Sequence, residues 1–516
     1  GIRYAQPPVG ELRFKPPSPP QSWDGVINAT EDGARCPNAD RPDGSSEDCL
    51  FLNVYTTKLP DGRQNTRRPV MVFYHPGAFS SMRGTSDLFG PQYLMDENMV
   101  LVTVNYRLGA LGFLSTGDCV LTGNYGFKDQ VLSLQWIQQN IASFGGDPNS
   151  VTITGYSAGS RSVYLHMVSP MSKGLFHRAI AMSGGVQSSI NEDPLKQAKK
   201  QARLLNCPDD NSREIVKCLK DKDAQEFANT LGGFREWGWD PMRVFGPVIE
   251  QDCGSETERF LTAEPTELFL SGNFTHVPLI TGTTKDEFGW KELQILGNTS
   301  WAEDMSENYE RVFPISFLYE RDTPRSHQIS RELRSFYLDN EPITNSSRKG
   351  VGQLYADSIV IFPIDRIAKI LSRKNTSPVY YYHFVYQGRY SWVKNPGTTT
   401  PYGVVHHDDL IYLFYISVLF PQFNNTDPEY PTVKKMTKMW SNFVKNGNPT
   451  SERNDLVNVE WQSLTPLRQV YLEIGTELTM KDGLYYQDRM SLWDRLFPLP
   501  ASRGSGNKEH VLRRKH

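Results

Sequence analysis

The stretch Gly155-Tyr156-Ser157-Ala158-Gly159 follows a β-branched run, Val151-Thr152-Ile153-Thr154. That order describes a strand delivering a serine onto a very tight turn, with residues 160–167 continuing as a helix whose free N–H groups point at the serine oxygen. The glycines on either side, Gly155 and Gly159, are small because a Cβ there would strike the neighbouring strand or helix. A serine hydroxyl is a weak nucleophile at neutral pH, so Ser157 needs a base within hydrogen-bond reach and an acid to orient that base. His406 sits on a loop opened by Gly403, a placement that suits a base facing a pocket, with His407 its immediate competitor. His75, His166 and His177 lie on or beside predicted strands and helices, where a structural histidine is the simpler reading. For the acid, Asp286 and Glu287 both follow a predicted strand, at the carboxyl end where active-site loops gather, and the residues alone leave both open. The third need is a set of N–H donors for an oxyanion. His75-Pro76-Gly77-Ala78-Phe79, at the end of another predicted strand, has the form of a loop supplying them, and the N–H of Ala158 adds one more.

These groups must be positioned by a sheet. Short runs rich in Val, Ile, Leu and aromatics at 50–55, 69–75, 99–106, 151–154, 179–182, 277–281, 379–385 and 470–474 predict strands, several apolar without alternation, as in strands covered on both faces. Helical patterns lie between them. One at 127–142 stops at Phe144-Gly145-Gly146-Asp147-Pro148, and one at 432–445 stops at Asn446-Gly447. The alternation predicts an α/β fold with a mostly parallel, doubly wound central sheet. Residues 191–277 and 301–361, helical and polar in pattern, are expected as insertions over the catalytic edge, giving one domain over 1–498 and a disordered basic tail over 499–516. Residues 1–23, punctuated by proline, read as loop and edge structure.

Charge and length exclude several classes. In 516 residues, 55 basic and 58 acidic side chains give a net charge of −3, and no nucleic-acid footprint follows from that balance. No apolar run approaches the ~20 residues of a membrane span. Cys36 and Cys49 bracket a polar loop, as do Cys207 and Cys218, and a disulfide suits each excursion; Cys119 and Cys253 are left as buried thiols or a third pair. No Cys-x-x-Cys occurs, which argues against zinc. Sequons begin at Asn28, Asn273, Asn298, Asn345, Asn375 and Asn424, and lean toward secretion.

Five stretches carry a family resemblance. Glu47-Asp48-Cys49-Leu50-Phe51-Leu52-Asn53-Val54-Tyr55, Asn105-Tyr106-Arg107-Leu108-Gly109, Gly126-Phe127-Lys128-Asp129-Gln130, Phe144-Gly145-Gly146-Asp147-Pro148 and the serine stretch resemble successive signatures of the type-B carboxylesterase/cholinesterase family. The likeness runs, with gaps, from Gly1 to about Pro498. It implies an α/β-hydrolase fold with Ser157 as nucleophile, Glu287 as acid and His406 as base, in preference to Asp286 and His407. It also implies Gly77, Ala78 and Ala158 as oxyanion donors, Ser183 as support for the acid, disulfides Cys36/Cys49 and Cys207/Cys218, and ion pairs Arg13/Glu47 and Arg107/Asp129. The wording around Ser157 is most similar to insect esterases, and the general character of the family is that of secreted glycoproteins.

The departures from the family shape the expected substrate. Pro76, without an N–H, stands where the family usually has glycine, though the matched donors are the next two residues. Phe288 replaces the glycine that normally follows the acid. The Cys36–Cys49 loop has no aromatic, and Tyr156 takes the place of a glutamate, so a quaternary ammonium would lack both its cation–π face and its counter-charge. The resemblance thus implies a secreted serine carboxylesterase acting on uncharged carboxylic esters as small-molecule substrates, with no cofactor, no metal and no nucleic-acid partner. Phe79, Tyr156, Phe288, Trp290 and Tyr402 are candidate pocket walls. The alternative is a catalytically weak or inactive adhesion or binding protein, for which Pro76 is the best argument; a hormone or pheromone esterase is a second, against which Tyr156 counts, since juvenile-hormone esterases usually carry glutamine there.

Overall fold

Ten runs pair into one sheet in the order β1-β2-β4-β3-β5-β6-β7-β8-β9-β10: β1 (Ile2–Arg3), β2 (Phe51–Tyr55), β3 (Arg68–Tyr74), β4 (Val100–Val104), β5 (Gly146–Tyr156), β6 (Arg178–Met182), β7 (Leu279–Thr284), β8 (Val379–Phe384), β9 (Val470–Ile474) and β10 (Leu478–Asp482). This is a computed structural model, and it describes residues 1–39, 44–61, 67–186, 193–254 and 258–500. From β4 through β3, β5, β6, β7 and β8 to β9 every pairing is parallel. β1, β2 and β10 are joined to it by antiparallel pairings at the two edges.

The run of apolar residues without alternation has the cause expected for it. Val70, Val72 and Tyr74 of β3 point into one buried cluster with Val151 and Ile153 of β5, while Met71 and Phe73 point into another with Tyr156, Ile180 and Met182. Both faces are therefore covered by helices, among them α1 (Tyr125–Asn140), α2 (Ala158–Val168), α3 (Phe362–Lys374) and α4 (Tyr430–Asn446).

Most element ends lie within about two residues of expectation, and the larger differences have physical causes. β5 begins at Gly146, inside the Gly-Gly-Asp-Pro stretch read as a helix stop; α1 gives way to a 3-10 turn over Ile141–Phe144, and Gly145, in a left-handed conformation, turns the chain straight into the strand. β7 runs to Thr284, three residues past its predicted end, because its threonines are buried beside β8. β10 was not anticipated: it is an edge strand with one buried residue in five, so its sequence carries little apolar signal. The predicted tail, apart from residues 499 and 500, lies outside the described residues.

Between β6 and β7 lie the helices Pro194–Leu204, Ser212–Lys220, Ala224–Asn229 and Pro265–Ser271, and between β7 and β8 the helices Thr299–Glu307, Tyr309–Phe317, Pro324–Leu338 and Arg348–Ala356. Cys36–Cys49 and Cys207–Cys218 are disulfides, and Cys119 with Cys253 forms the third pair. The implied ion pairs are present, Arg13 to Glu47 partly buried and Arg107 to Asp129 buried, each at 2.6 Å. Among the described residues no helix is long and apolar enough to cross a membrane.

Candidate active site

Ser157 stands between the end of β5 and the start of α2 with φ 55° and ψ −113°, a conformation that L-residues avoid and that costs of order 1–3 kcal/mol. The turn is held from both sides. The Ser157 N–H donates to the carbonyl of Met182 in β6 at 2.8 Å, and its carbonyl accepts from Arg161 N–H at 3.0 Å. The glycines are demanded by close approach: a Cβ on Gly155 would lie 2.1 Å from the carbonyl oxygen of Gly159, and one on Gly159 would lie 1.9 Å from that of Tyr74. Ser157 remains partly exposed amid buried neighbours.

Glu287 follows β7 by three residues and His406 lies on the long connection from β8 to α4. Their side chains meet, His406 Nδ1 to Glu287 Oε2 at 2.6 Å, both buried. The other carboxyl oxygen, Oε1, accepts from the Ser183 hydroxyl and from the Thr284 N–H, each at 2.8 Å. Burial pushes the Glu287 carboxyl up, opposed by those hydrogen bonds, and pushes the His406 imidazole down, which keeps that ring neutral. His406 Nε2 is buried and makes no hydrogen bond. The ring is gripped by Phe288, with centroids 4.2 Å apart, and by Tyr156 at 5.0 Å.

The two loops are zipped together by backbone. His406 N–H donates to the Glu287 carbonyl at 3.0 Å, and Asp286 N–H to the Val404 carbonyl at 2.8 Å. Asp286, the rival acid on chemistry, is spent on this joint: its Oδ2 accepts from Val404 N–H at 2.8 Å. Asp408 closes the far side, accepting from Val405 N–H, from the Ser391 hydroxyl and from Trp392 N–H. The work of Asp408 and of the Tyr156 hydroxyl, which accepts from His407 N–H at 2.8 Å, had no signal in the sequence beyond two acids set before Leu410-Ile411-Tyr412.

Past β3 the chain turns through three residues with positive φ: Gly77 at 117°, Ala78 at 52° and Phe79 at 61°. Gly77 is required there, since a Cβ would fall 2.1 Å from the Ser81 carbonyl oxygen. The loop is closed by Ser80 and Ser81 N–H groups, both donating to the Gly77 carbonyl at 2.9 Å. Among the described residues, the N–H groups of Gly77, Ala78 and Ala158 donate to no acceptor. Pro76 does not spoil the turn; its carbonyl lies 2.7 Å from His75 Nδ1.

The other singled-out residues separate. Phe79 is buried against Phe113 and Phe127 in the core. Trp290 and Tyr402 are half-buried; Tyr402 lies under the Arg348 guanidinium, which pairs with Glu292 at 2.5 Å. His75 stacks on Tyr106, His166 is bonded to Ser172 and Gln130, and His177 accepts from Val151 N–H, so all three have structural places.

Comparison with known proteins decides the class. The sequence model of the Carboxylesterase family matches residues 1–493. The chain belongs to the carboxylesterase family. It is 38% identical over 470 residues to Esterase E4 of Myzus persicae, covering 88% of this chain and 83% of that protein, and 35% identical to Juvenile hormone esterase of Tribolium castaneum, covering 90% and 81%. The crystal structure of Juvenile Hormone Esterase from Manduca sexta, with OTFP covalently attached, superposes with a TM-score of 0.84 at 28% identity, covering 97% of this chain and 94% of that one. The fold is the α/β-hydrolase fold, and this carboxylesterase is a carboxylic ester hydrolase, which sets aside the reading as a non-catalytic binding protein.

Proposed function

We propose that this carboxylesterase hydrolyses uncharged carboxylic esters through Ser157, His406 and Glu287 and an acyl-enzyme. The contact that carries the reading is His406 Nδ1 on Glu287 Oε2, because a proton held there leaves Nε2 as a free acceptor. Nε2 takes the Ser157 proton as its oxygen attacks the ester carbonyl, and returns it to the departing alkoxide; water then attacks the acyl carbon with the same nitrogen as base, freeing the acid and Ser157. Glu287 fixes the tautomer and stabilises the imidazolium as it forms. The unspent N–H groups of Gly77, Ala78 and Ala158 hold the oxyanion. No step calls for a cofactor.

The absence of an aromatic in the Cys36–Cys49 loop and the neutral Tyr156 support uncharged substrates. The likeness to Esterase E4 and to two juvenile hormone esterases supports hydrophobic esters of the hormone, pheromone or xenobiotic kind. Three disulfides and the exposed sequon asparagines Asn28, Asn273, Asn345 and Asn424 support a secreted glycoprotein; Asn298 and Asn375 are less open, and Asn375 commits its amide to the Val277 carbonyl.

Purified protein is expected to hydrolyse 4-nitrophenyl butanoate, with Ser157→Ala slower by a factor of about 10⁴ or more. A fluorophosphonate probe is expected to label Ser157 and spare the variant. Equal rates for the two proteins, or a label elsewhere, would end the triad reading.

A further inference from the structure

Five consecutive N–H groups carry the loop that holds His406, and each has its own acceptor. Residue 404 donates to the Asp286 carboxylate, 405 to Asp408, 406 to the Glu287 carbonyl, 407 to the Tyr156 hydroxyl and 408 to the Val405 carbonyl. Four of these acceptors belong to the loop itself or to the loop bearing Glu287. Tyr156 alone comes from another element, the last residue of β5 just before Ser157, and it reaches across 251 residues of sequence.

The residue it grips is the one under strain. His407 has φ 83° and ψ −6°, a left-handed conformation that a β-carbon makes costly and that glycine adopts freely. Its half-buried ring lies 5.1 Å from Tyr156, 5.0 Å from Trp392 and 4.3 Å from His406, and its Nε2 is buried without a hydrogen bond. The imidazole therefore gains nothing through Nε2 that would repay the backbone. What fixes the backbone at 407 is its N–H, and the acceptor is a hydroxyl one residue before Ser157. Burial, with Asp409 and Glu287 nearby, keeps that hydroxyl protonated, so it is present as an acceptor with its own proton turned elsewhere.

We propose that Tyr156 is a positioning residue for the base: its hydroxyl holds residue 407 in the left-handed conformation and thereby keeps the His406 imidazole in register with the serine elbow. The requirement for that hydroxyl comes from the β-carbon at 407. The proposal rests on Ser157 and His406 acting as the preceding section assigns them, and it predicts a coupling between two positions that do not themselves react.

Tyr156→Phe keeps the ring and removes the hydroxyl. It is expected to lower kcat by about tenfold or more with KM within about twofold, because geometry and not ground-state binding is lost. The amide of residue 407 is expected to exchange with deuterium at least about tenfold faster, since its acceptor is gone. Adding His407→Gly removes the β-carbon strain, and Tyr156→Phe/His407→Gly is expected to recover kcat to within about threefold of the wild type. If Tyr156→Phe does not fold, a double variant that folds and turns over supports the coupling, and one that also fails overturns it. Unchanged kcat and unchanged exchange in Tyr156→Phe, or a double variant whose losses simply multiply, would overturn it as well. A wild type with no esterase activity would instead remove the triad reading, and the exchange measurement alone would then decide whether Tyr156 holds residue 407.

Discussion

At the scale of single residues, the arrangement of donors around Glu287 fixes what a one-atom change would do. Oε1 already faces two donors, the Ser183 hydroxyl and the Thr284 N–H. In Glu287→Gln the amide oxygen must therefore keep that place, which turns the amide NH₂ toward His406 Nδ1. The imidazole is then forced to carry its proton on Nε2, where it can no longer accept from Ser157. A fall in kcat of about 10⁴ is expected at unchanged fold, with KM little altered; a fall of less than about tenfold would show that Glu287 does not set the tautomer. The pH profile follows from burial. His406 is lowered from its ordinary value of 6.5 by burial, so the imidazole stays neutral below that pH, and with His406 as the proposed base the acid limb of kcat/KM is expected to fall with a midpoint below 6.5. The sign for stability is the same: the unfolded chain takes up this proton first, so the contribution of His406 is full above pH 6.5 and declines as pH falls below it.

At the scale of elements, the elbow is a packing statement before it is a catalytic one. Gly159 sits where β3 passes closest to α2, and the atom a Cβ would meet is a backbone oxygen, which cannot swing aside. Gly159→Ala is expected to destabilise by about 3 kcal/mol or more, whereas Gly232→Ala, with open space and no positive φ, is expected to be neutral or to stabilise by about 0.4–1 kcal/mol. Thermal unfolding of the two variants checks this, and similar midpoints would contradict it. Such close approaches are why the elbow could be read from Gly-x-Ser-x-Gly after a β-branched run, and the doubly covered strands from their unbroken apolar text. β10 was unreadable because an edge strand buries little, and the start of β5 because Gly, Asp and Pro signal a turn locally while β3 supplies a pairing partner for Gly146 only in three dimensions. Family likeness alone prefers Glu287 to Asp286 and His406 to His407. Nothing local could show that Asp286 would be consumed by Val404 N–H, or that a tyrosine hydroxyl would serve an amide 251 residues away.

At the scale of the whole molecule, the segment between β6 and β7 is bound to the sheet by charge as well as by apolar contact. Phe227, Phe234, Phe245, Phe260 and Phe269 lie in the same core cluster as Val70, Val102 and Ile153 of the central strands. Lys128 of α1 meets Glu250 at 2.6 Å with both side chains almost wholly buried, and Glu250 also accepts from Asn124 and from Phe260 N–H, each at 2.8 Å. The Cys119–Cys253 disulfide ties the same two regions together across 134 residues. A segment that shares its core, a buried ion pair and a crosslink with the sheet has no separate surface along which to come away. Lys128→Met removes one partner and leaves Glu250 an uncompensated buried carboxylate, which is expected to cost about 3–5 kcal/mol. With core, ion pair and crosslink shared, calorimetry is expected to show a single transition displaced to lower temperature, and not a second transition split from the first. Two resolved transitions in the variant would mean that the segment unfolds on its own, and that the sheet and its covering helices are separate units joined at Glu250.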